Sequence, residues 1–189
     1  LNANYAEAFV DEANWLKAAF VLFAPDEDTF FRFGRIPTTA NVVVIPMQDL
    51  ETVNFQHVPV GIWAYGVQVN KKSGRWIGMW DITTDSDDSF QESPDGLDTS
   101  LRVQYDMSRE WAVAGGSVID IDDADFFNYL DVGYDNGAFG FHVVGYQKND
   151  LFGFYSLGKY LIFDSLEAHA GLDVQDGGNI SPILGTRIF

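Results

Sequence analysis

The sequence predicts an all-β fold, an antiparallel transmembrane β-barrel of about twelve strands, and three observations carry that reading. Short runs of aromatic and β-branched residues recur along the chain, separated by clusters of Asp, Asn, Gly and Ser. The runs are about ten residues long, matching the ~9–11 that a tilted strand needs to cross a bilayer, where ordinary strands average about five or six. Within them apolar and polar residues alternate with a period of two, so each strand has one greasy face and one wet face.

Composition narrows the class further. Of 189 residues 47% are hydrophobic and only 21% are charged, which argues against a disordered polymer and fits a single domain, residues 1–189. The 16 Phe, 8 Tyr and 5 Trp beside 18 Gly are strand formers and turn formers, not the Ala/Leu/Glu/Lys balance of helical domains. The absence of cysteine excludes disulfides, thiolate nucleophiles and cysteine-based zinc sites. A formal charge of -17, from 28 acids against 11 bases, opposes binding to nucleic-acid phosphates. No window approaches the ~20 continuous apolar residues of a membrane-spanning helix, so any crossing is made by strands. The chain opens on "LNANYAEAF", with no Met, no basic n-region and no apolar h-region, which sets the expectation of a chain already processed or part of a longer one.

In chain order, strands are expected at 3–9, 14–23 and 29–36, then, after a long gap, at 60–70 and 75–84. The turn "NKKSGRW" (Asn70 to Trp76) joins the last two. Strands at 99–107 and 111–120 are joined by "YDMSREW" (Tyr105 to Trp111). Those at 126–135 and 138–147 flank "YDNGAFGF", whose Asp-Asn-Gly is tight-hairpin chemistry with central residues at φ > 0. Further strands follow at 151–161, 165–174 and 182–189. Consecutive hairpins make an antiparallel meander.

The alternation assigns faces. In "LRVQYDMS", Leu101, Val103, Tyr105 and Met107 oppose Arg102, Gln104, Asp106 and Ser108. In "LEAHAGLDVQ", Leu166, Ala168, Ala170, Leu172 and Val174 oppose Glu167, His169, Gly171, Asp173 and Gln175. A soluble barrel or sandwich alternates in the same way, and the alternative reading is a secreted β-protein that binds a ligand or a protein partner through exposed aromatics. Lipid is favoured because Trp15, Phe30, Trp63, Trp76, Trp80, Trp111, Phe126, Phe139 and Tyr160 gather near strand ends, where interfacial girdles sit. The final strand closes on Phe189. Arg187 is a counter-signal, since it shares the face of Phe189, where an apolar residue is expected against lipid.

These residues bring the chain to a resemblance. "RVQYDMSREWAVAGG" is similar to the porin hairpin of general form Tyr-x-Leu-Ser-Lys-Arg-Thr: Tyr105, Ser108 and Arg109 match it, while Glu110 and Trp111 depart from it. "FFRFGRIPT" resembles the porin strand that closes on Gly-Arg before a long loop, and Phe189 resembles the terminal Phe of such barrels. The resemblance implies a bacterial outer-membrane porin-like β-barrel, a passive channel for small polar solutes or ions with outer-membrane lipid around it, and no enzyme activity. About twelve strands instead of the family's sixteen imply a smaller barrel or a fragment of a larger one. The Pro-Glu-Phe-Gly-Gly motif of many constriction loops is absent, so no pore residue is carried over from the family.

The long connection 37–59 has three readings. Folded into the lumen, it packs Val42 to Ile45 on the wall and presents Asp49 and Glu51 opposite Lys17, Arg32 and Arg102, a transverse field that orients polar solutes. Lying outside, it covers a rim or a neighbouring copy in a homo-oligomer. The third reading is a regular strand. The pore-lining candidates are Lys17, Arg32, Asp49, Glu51, Arg102, Asp106, Glu167 and His169; acids that line the pore would favour cations.

Other constellations are weaker. "DIDDADFFNYLD" begins like a calcium loop but has Ala124 at the fifth position, Asp125 where Gly is needed and Asp131 where Glu is needed. A looser calcium site of Asp120, Asp122, Asp123 and Asp125, or of Asp85, Asp87 and Asp88, stands against the ordinary reading as solvated loop tips. His57, His142 and His169 share no metal-ligand spacing, and no Gly-x-Ser-x-Gly elbow or phosphate-cradling loop occurs. His169 with Glu167 or Asp173 could form a base and its orienter on one wet face, the single enzyme-like feature, while 28 acids make chance carboxylate pairs inevitable.

Overall fold

The structure is a computed structural model that describes residues 5–9, 18–37, 39, 63–84, 96–122, 125–164, 166–176, 178 and 180–188. Among these, twelve strands form one sheet in chain order. They are β1 (Tyr5–Phe9), β2 (Ala18–Phe23), β3 (Thr29–Pro37), β4 (Trp63–Ser73), β5 (Trp76–Thr84) and β6 (Leu97–Asp106), followed by β7 (Trp111–Asp120), β8 (Phe126–Asp135), β9 (Phe139–Lys148), β10 (Leu151–Phe163), β11 (Leu166–Gln175) and β12 (Ile180–Ile188). The meander read from the sequence is the observed topology. Pro37 ends β3, as a residue that cannot donate to a ladder should. Lys17, Asp49, Glu51, Asp123, His57, Phe189 and the segment 40–62 lie outside the described residues.

The connections are unequal. Those leaving even-numbered strands are short: 24–28, 74–75, 107–110, 136–138 and 164–165. Several of those leaving odd-numbered strands are long, notably 38–62 and 85–96. In a sequential antiparallel sheet the two sets emerge at opposite ends of the strands.

Turn chemistry follows local hydrogen bonding, with two corrections. Asn70 belongs to β4, not to the turn: pairing runs on through Lys71↔Gly78, Lys72↔Ile77 and Ser73↔Trp76, and the turn is Gly74–Arg75, with Gly74 at φ 60. In the Asp-Asn-Gly turn only Gly137 has positive φ (91); Asn136 instead turns the chain with its side-chain oxygen, which accepts the Ala138 and Phe139 amides at 3.1 and 2.8 Å. The Ser108 hydroxyl does the same at the β6–β7 turn, accepting the Glu110 and Trp111 amides at 3.2 and 3.1 Å. Between β9 and β10 the turn is made by Asn149 at φ 51, a conformation Asn tolerates well.

Contacts gather the strands into two compact units. The first holds β1–β5, β6 as far as Val103, β7 from Gly116 and Phe126 at the start of β8; the second holds the remaining parts of β6, β7 and β8 together with β9–β12. In the first unit Phe20, Leu22 and Ile36 form a small apolar cluster, with Ala24 and Phe30 packed on it. Phe30 is therefore part of an interior cluster and not of a girdle, and Trp80 sits in the middle of β5, away from its ends. Trp76, Trp111, Phe126, Phe139 and Tyr160 are exposed, as expected of a girdle. In the second unit Trp111, Tyr134, Phe139 and Phe141 form one aromatic group; Trp111 lies 5.0 Å from Tyr134 and 5.4 Å from Phe141, centroid to centroid.

Candidate functional site

Beside buried apolar residues such as Phe127, Val144 and Leu157, an unusual number of polar and charged side chains is buried while large apolar ones are exposed. Arg102 is fully buried while its neighbours Leu101 and Val103 are 52% and 43% exposed. Gln68, Asp81, Thr83, Ser100, Asp131, His142, Glu167 and Asp173 are buried; Val67, Trp80, Ile82, Leu130, Val143 and Leu172, on the same strands, are exposed. Burying charge is costly unless it is paired, and leaving large apolar groups in water forfeits roughly 25 cal/mol per Å². β4, β5, β6, β8, β9 and β11 do both, which is the pattern of a wall with one polar and one apolar face.

In the first unit the polar face carries a connected network. The Arg32 guanidinium lies 5.3 Å over the Phe20 ring and 4.9 Å over the Phe30 ring and donates to Gln68 Oε1 at 2.8 Å. Asn70 donates to the same oxygen at 3.0 Å, while Gln68 Nε2 donates to Thr39 Oγ1 at 3.2 Å. The Thr39 amide donates to Asp81 Oδ2 at 2.6 Å, and Thr39 is fully buried. The start of the long connection after β3 is thus fastened to the polar face of β4 and β5. Asp81 Oδ1 is buried without a partner.

The second unit carries its charges in rungs across strands. Lys159 on β10 pairs with Asp135 on β8 at 2.6 Å, and its stem passes over Gly140 of β9, where a Cβ would stand 2.8 Å from Lys159 Cε. Tyr146 on β9 covers Gly153 of β10 and donates to Asp173 Oδ1 on β11 at 3.2 Å. His169 Nε2 meets Glu167 Oε1 at 2.9 Å, and His142 Nε2 lies 3.9 Å from Asp131 Oδ2. The partner of His169 is therefore Glu167, while Asp173 is engaged by Tyr146. The register sets the backbone of Arg187 opposite that of Glu167.

At the end of β6 and β8 a cleft of about 750 Å³ is lined by Gln104, Asp106, Arg109, Glu110, Trp111 and Asp135 among others. Asp106 accepts from Gln104 Nε2 at 2.8 Å. The candidates Arg32, Arg102, Asp106, Glu167 and His169 thus all lie at strand positions whose neighbours face the other way. Gln68, Asp81, Asp131, His142, Lys159 and Asp173 join them on the polar face, and the period of two along their strands is the signal that finds them. In the β7–β8 turn, Asp120 Oδ1 accepts the Asp122 amide at 2.8 Å and Asp122 Oδ2 accepts the Leu97 amide at 2.9 Å. Among the described residues no group of three metal-ligating side chains occurs.

No family model matches the chain, and no curated protein matches it. Solved structures do. A triple mutant of the Rhodopseudomonas blastica porin superposes with a TM-score of 0.61 at 11% identity, covering 90% of this chain and 54% of that one. This chain therefore spans about half the length of that porin. A double mutant of the same porin aligns over 98% of this chain and 88% of its own, with a TM-score of 0.57 at 9% identity. At such identity the likeness speaks for the fold, and the fold of this chain is a porin-like antiparallel β-barrel.

Proposed function

We propose that the chain is an outer-membrane, porin-like channel through which small polar solutes and ions diffuse passively, and that it is not an enzyme. The observation that carries this reading is the burial pattern: charged and amide side chains gathered on one face, large apolar side chains exposed on the other. The exposed face is the surface for outer-membrane lipid, with the aromatics at strand ends resting at the headgroups. At the start of the long connection 37–59, Thr39 is held on the polar face by its bonds with Asp81 and Gln68; residues 40–59 lie outside the described residues.

A preference for cations comes from the ends of the channel more than from its wall. The strands offer both signs, as in Arg102, Lys159, Asp81 and Asp131. The connections 38–62, 85–96 and 121–125 hold Asp49, Glu51, Asp85, Asp87, Asp88, Glu92, Asp95, Asp122, Asp123 and Asp125 and contain no Lys or Arg. Acids concentrated at one mouth raise the local cation concentration. A liposome-swelling assay with uncharged polyols tests the channel: swelling is expected and should slow as the solute grows. Absence of swelling by chain that floats with the liposomes would overturn the reading.

A further inference from the structure

We infer that the cleft at the short-turn end of β6 to β9 is a binding site for a small zwitterion of the amino-acid or short-peptide class, Arg109 taking its carboxylate and Asp106 and Glu110 its ammonium. All the lining residues belong to the second unit. At about 750 Å³ the cleft falls within the roughly 300–1,000 Å³ that small-molecule sites occupy. Gln104 and Asp106 continue the row of buried Ser100 and Arg102 along β6, and Asp135 continues the row of buried Asp131 along β8, so the polar face runs into the cleft. The site stands on its own residues, and the channel reading adds only that a passing solute meets it.

Most of the lining side chains are already bonded to one another or to the turns. Both oxygens of Asp135 are engaged, Oδ1 by the Gly137 amide at 2.7 Å and Oδ2 by Lys159 at 2.6 Å. Asn136 holds two amides of its own turn and donates to the Tyr134 hydroxyl at 3.0 Å. Ser108 donates to Glu110 Oε2 at 3.0 Å, and Gln104 Nε2 donates to Asp106 Oδ1 at 2.8 Å. These bonds set the wall before a solute arrives, which lowers the ordering cost of binding. They leave Asp106 Oδ2 and Glu110 Oε1 open. Among the described residues the Arg109 guanidinium makes no hydrogen bond and no ion pair. Opposite charges that have not neutralised each other therefore share one cleft. The planar guanidinium fork matches a carboxylate, and a half-used carboxylate accepts from an ammonium. A ligand of a single charge answers only one of the two signs, and a neutral sugar gains neither charge-assisted bond. Trp111, packed against Tyr134 and Phe141, gives the cleft an apolar side suited to the side chains of a peptide.

The test is the binding of trialanine to the folded chain in micelles, followed by NMR at the Arg109 and Trp111 side chains. Saturable shifts of both are expected. N-acetylation or C-terminal amidation of the peptide should each weaken binding about tenfold or more, as should R109Q and the D106N/E110Q double variant. R75Q, in the exposed β4–β5 turn, should bind as the wild-type chain does. Arg109 is exposed in a turn, so R109Q is expected to fold; should D106N/E110Q fail to fold, the acetylated peptide reports on the carboxylates without any substitution. Absence of saturable binding, equal binding of the capped peptides, undiminished binding by R109Q, or a preference for maltotriose over trialanine overturns the inference. A chain that binds trialanine as described and inserts without passing current upholds the site and overturns the channel reading. A conducting chain that binds none overturns the site and leaves the channel.

Discussion

Asp26 shows how single residues shape the ends of strands. Its Oδ1 accepts the Asp28 amide at 2.9 Å, its Oδ2 accepts the Thr29 hydroxyl at 3.0 Å, and Lys71 lies 3.6 Å away. The Thr29 hydroxyl bond, chiefly, holds the carboxyl below its ordinary value of 3.8. The lowered value means that folding favours the carboxylate; the associated stability is present above the unfolded value and is lost as pH falls through the folded one. Thr29→Ala should therefore raise the Asp26 midpoint, read by carboxyl ¹³C shifts; an unmoved midpoint would contradict the assignment. Gly34 is a second residue-scale constraint: at φ 127 a Cβ would lie 2.4 Å from the Ala19 carbonyl oxygen, so the "FGR" of β3 needs its glycine. The Gly-Arg signature was legible in the sequence. Its steric reason was not, because that depends on which residue of β2 lies opposite.

Strands meet through glycines in the second unit. Tyr146 lies over Gly153, where a Cβ would fall 2.4 Å from its ring, and from there it reaches Asp173 one strand further on. Gly153→Ala should push the ring aside and break that bond. In a double-mutant cycle, Tyr146→Phe is then expected to cost about 0.5–1.5 kcal/mol in the wild-type background and almost nothing beside Gly153→Ala. Additive costs, measured by urea unfolding in micelles, would refute the rung. Strand existence and faces could be read from the sequence because a period of two in "LRVQYDMS" or "LEAHAGLDVQ" reports directly which side chains share a side. The rungs could not, since two strands with clear faces can still pair in several registers, and register decides that Lys159 crosses Gly140 to Asp135.

For the molecule as a whole, the two faces imply opposite responses to charge. Leu101 is exposed in the middle of β6, next to buried Arg102. Leu101→Arg should destabilise the inserted state by about 2–4 kcal/mol, as arginine does on a lipid face near the bilayer midplane. Gln104→Arg, on the polar face, should cost far less; equal costs for the two, by refolding titration in lipid vesicles, would contradict the assignment of faces. At this scale composition was informative about the acid excess and silent about its placement, which only strand boundaries reveal. A conducting polar interior is read out by single-channel recording of the purified chain in planar bilayers under a salt gradient. Discrete conductance steps are expected, with a reversal potential displaced in the cation-selective direction. A chain that stays folded and monomeric in buffer without detergent, or that inserts and passes no current, would contradict the channel reading.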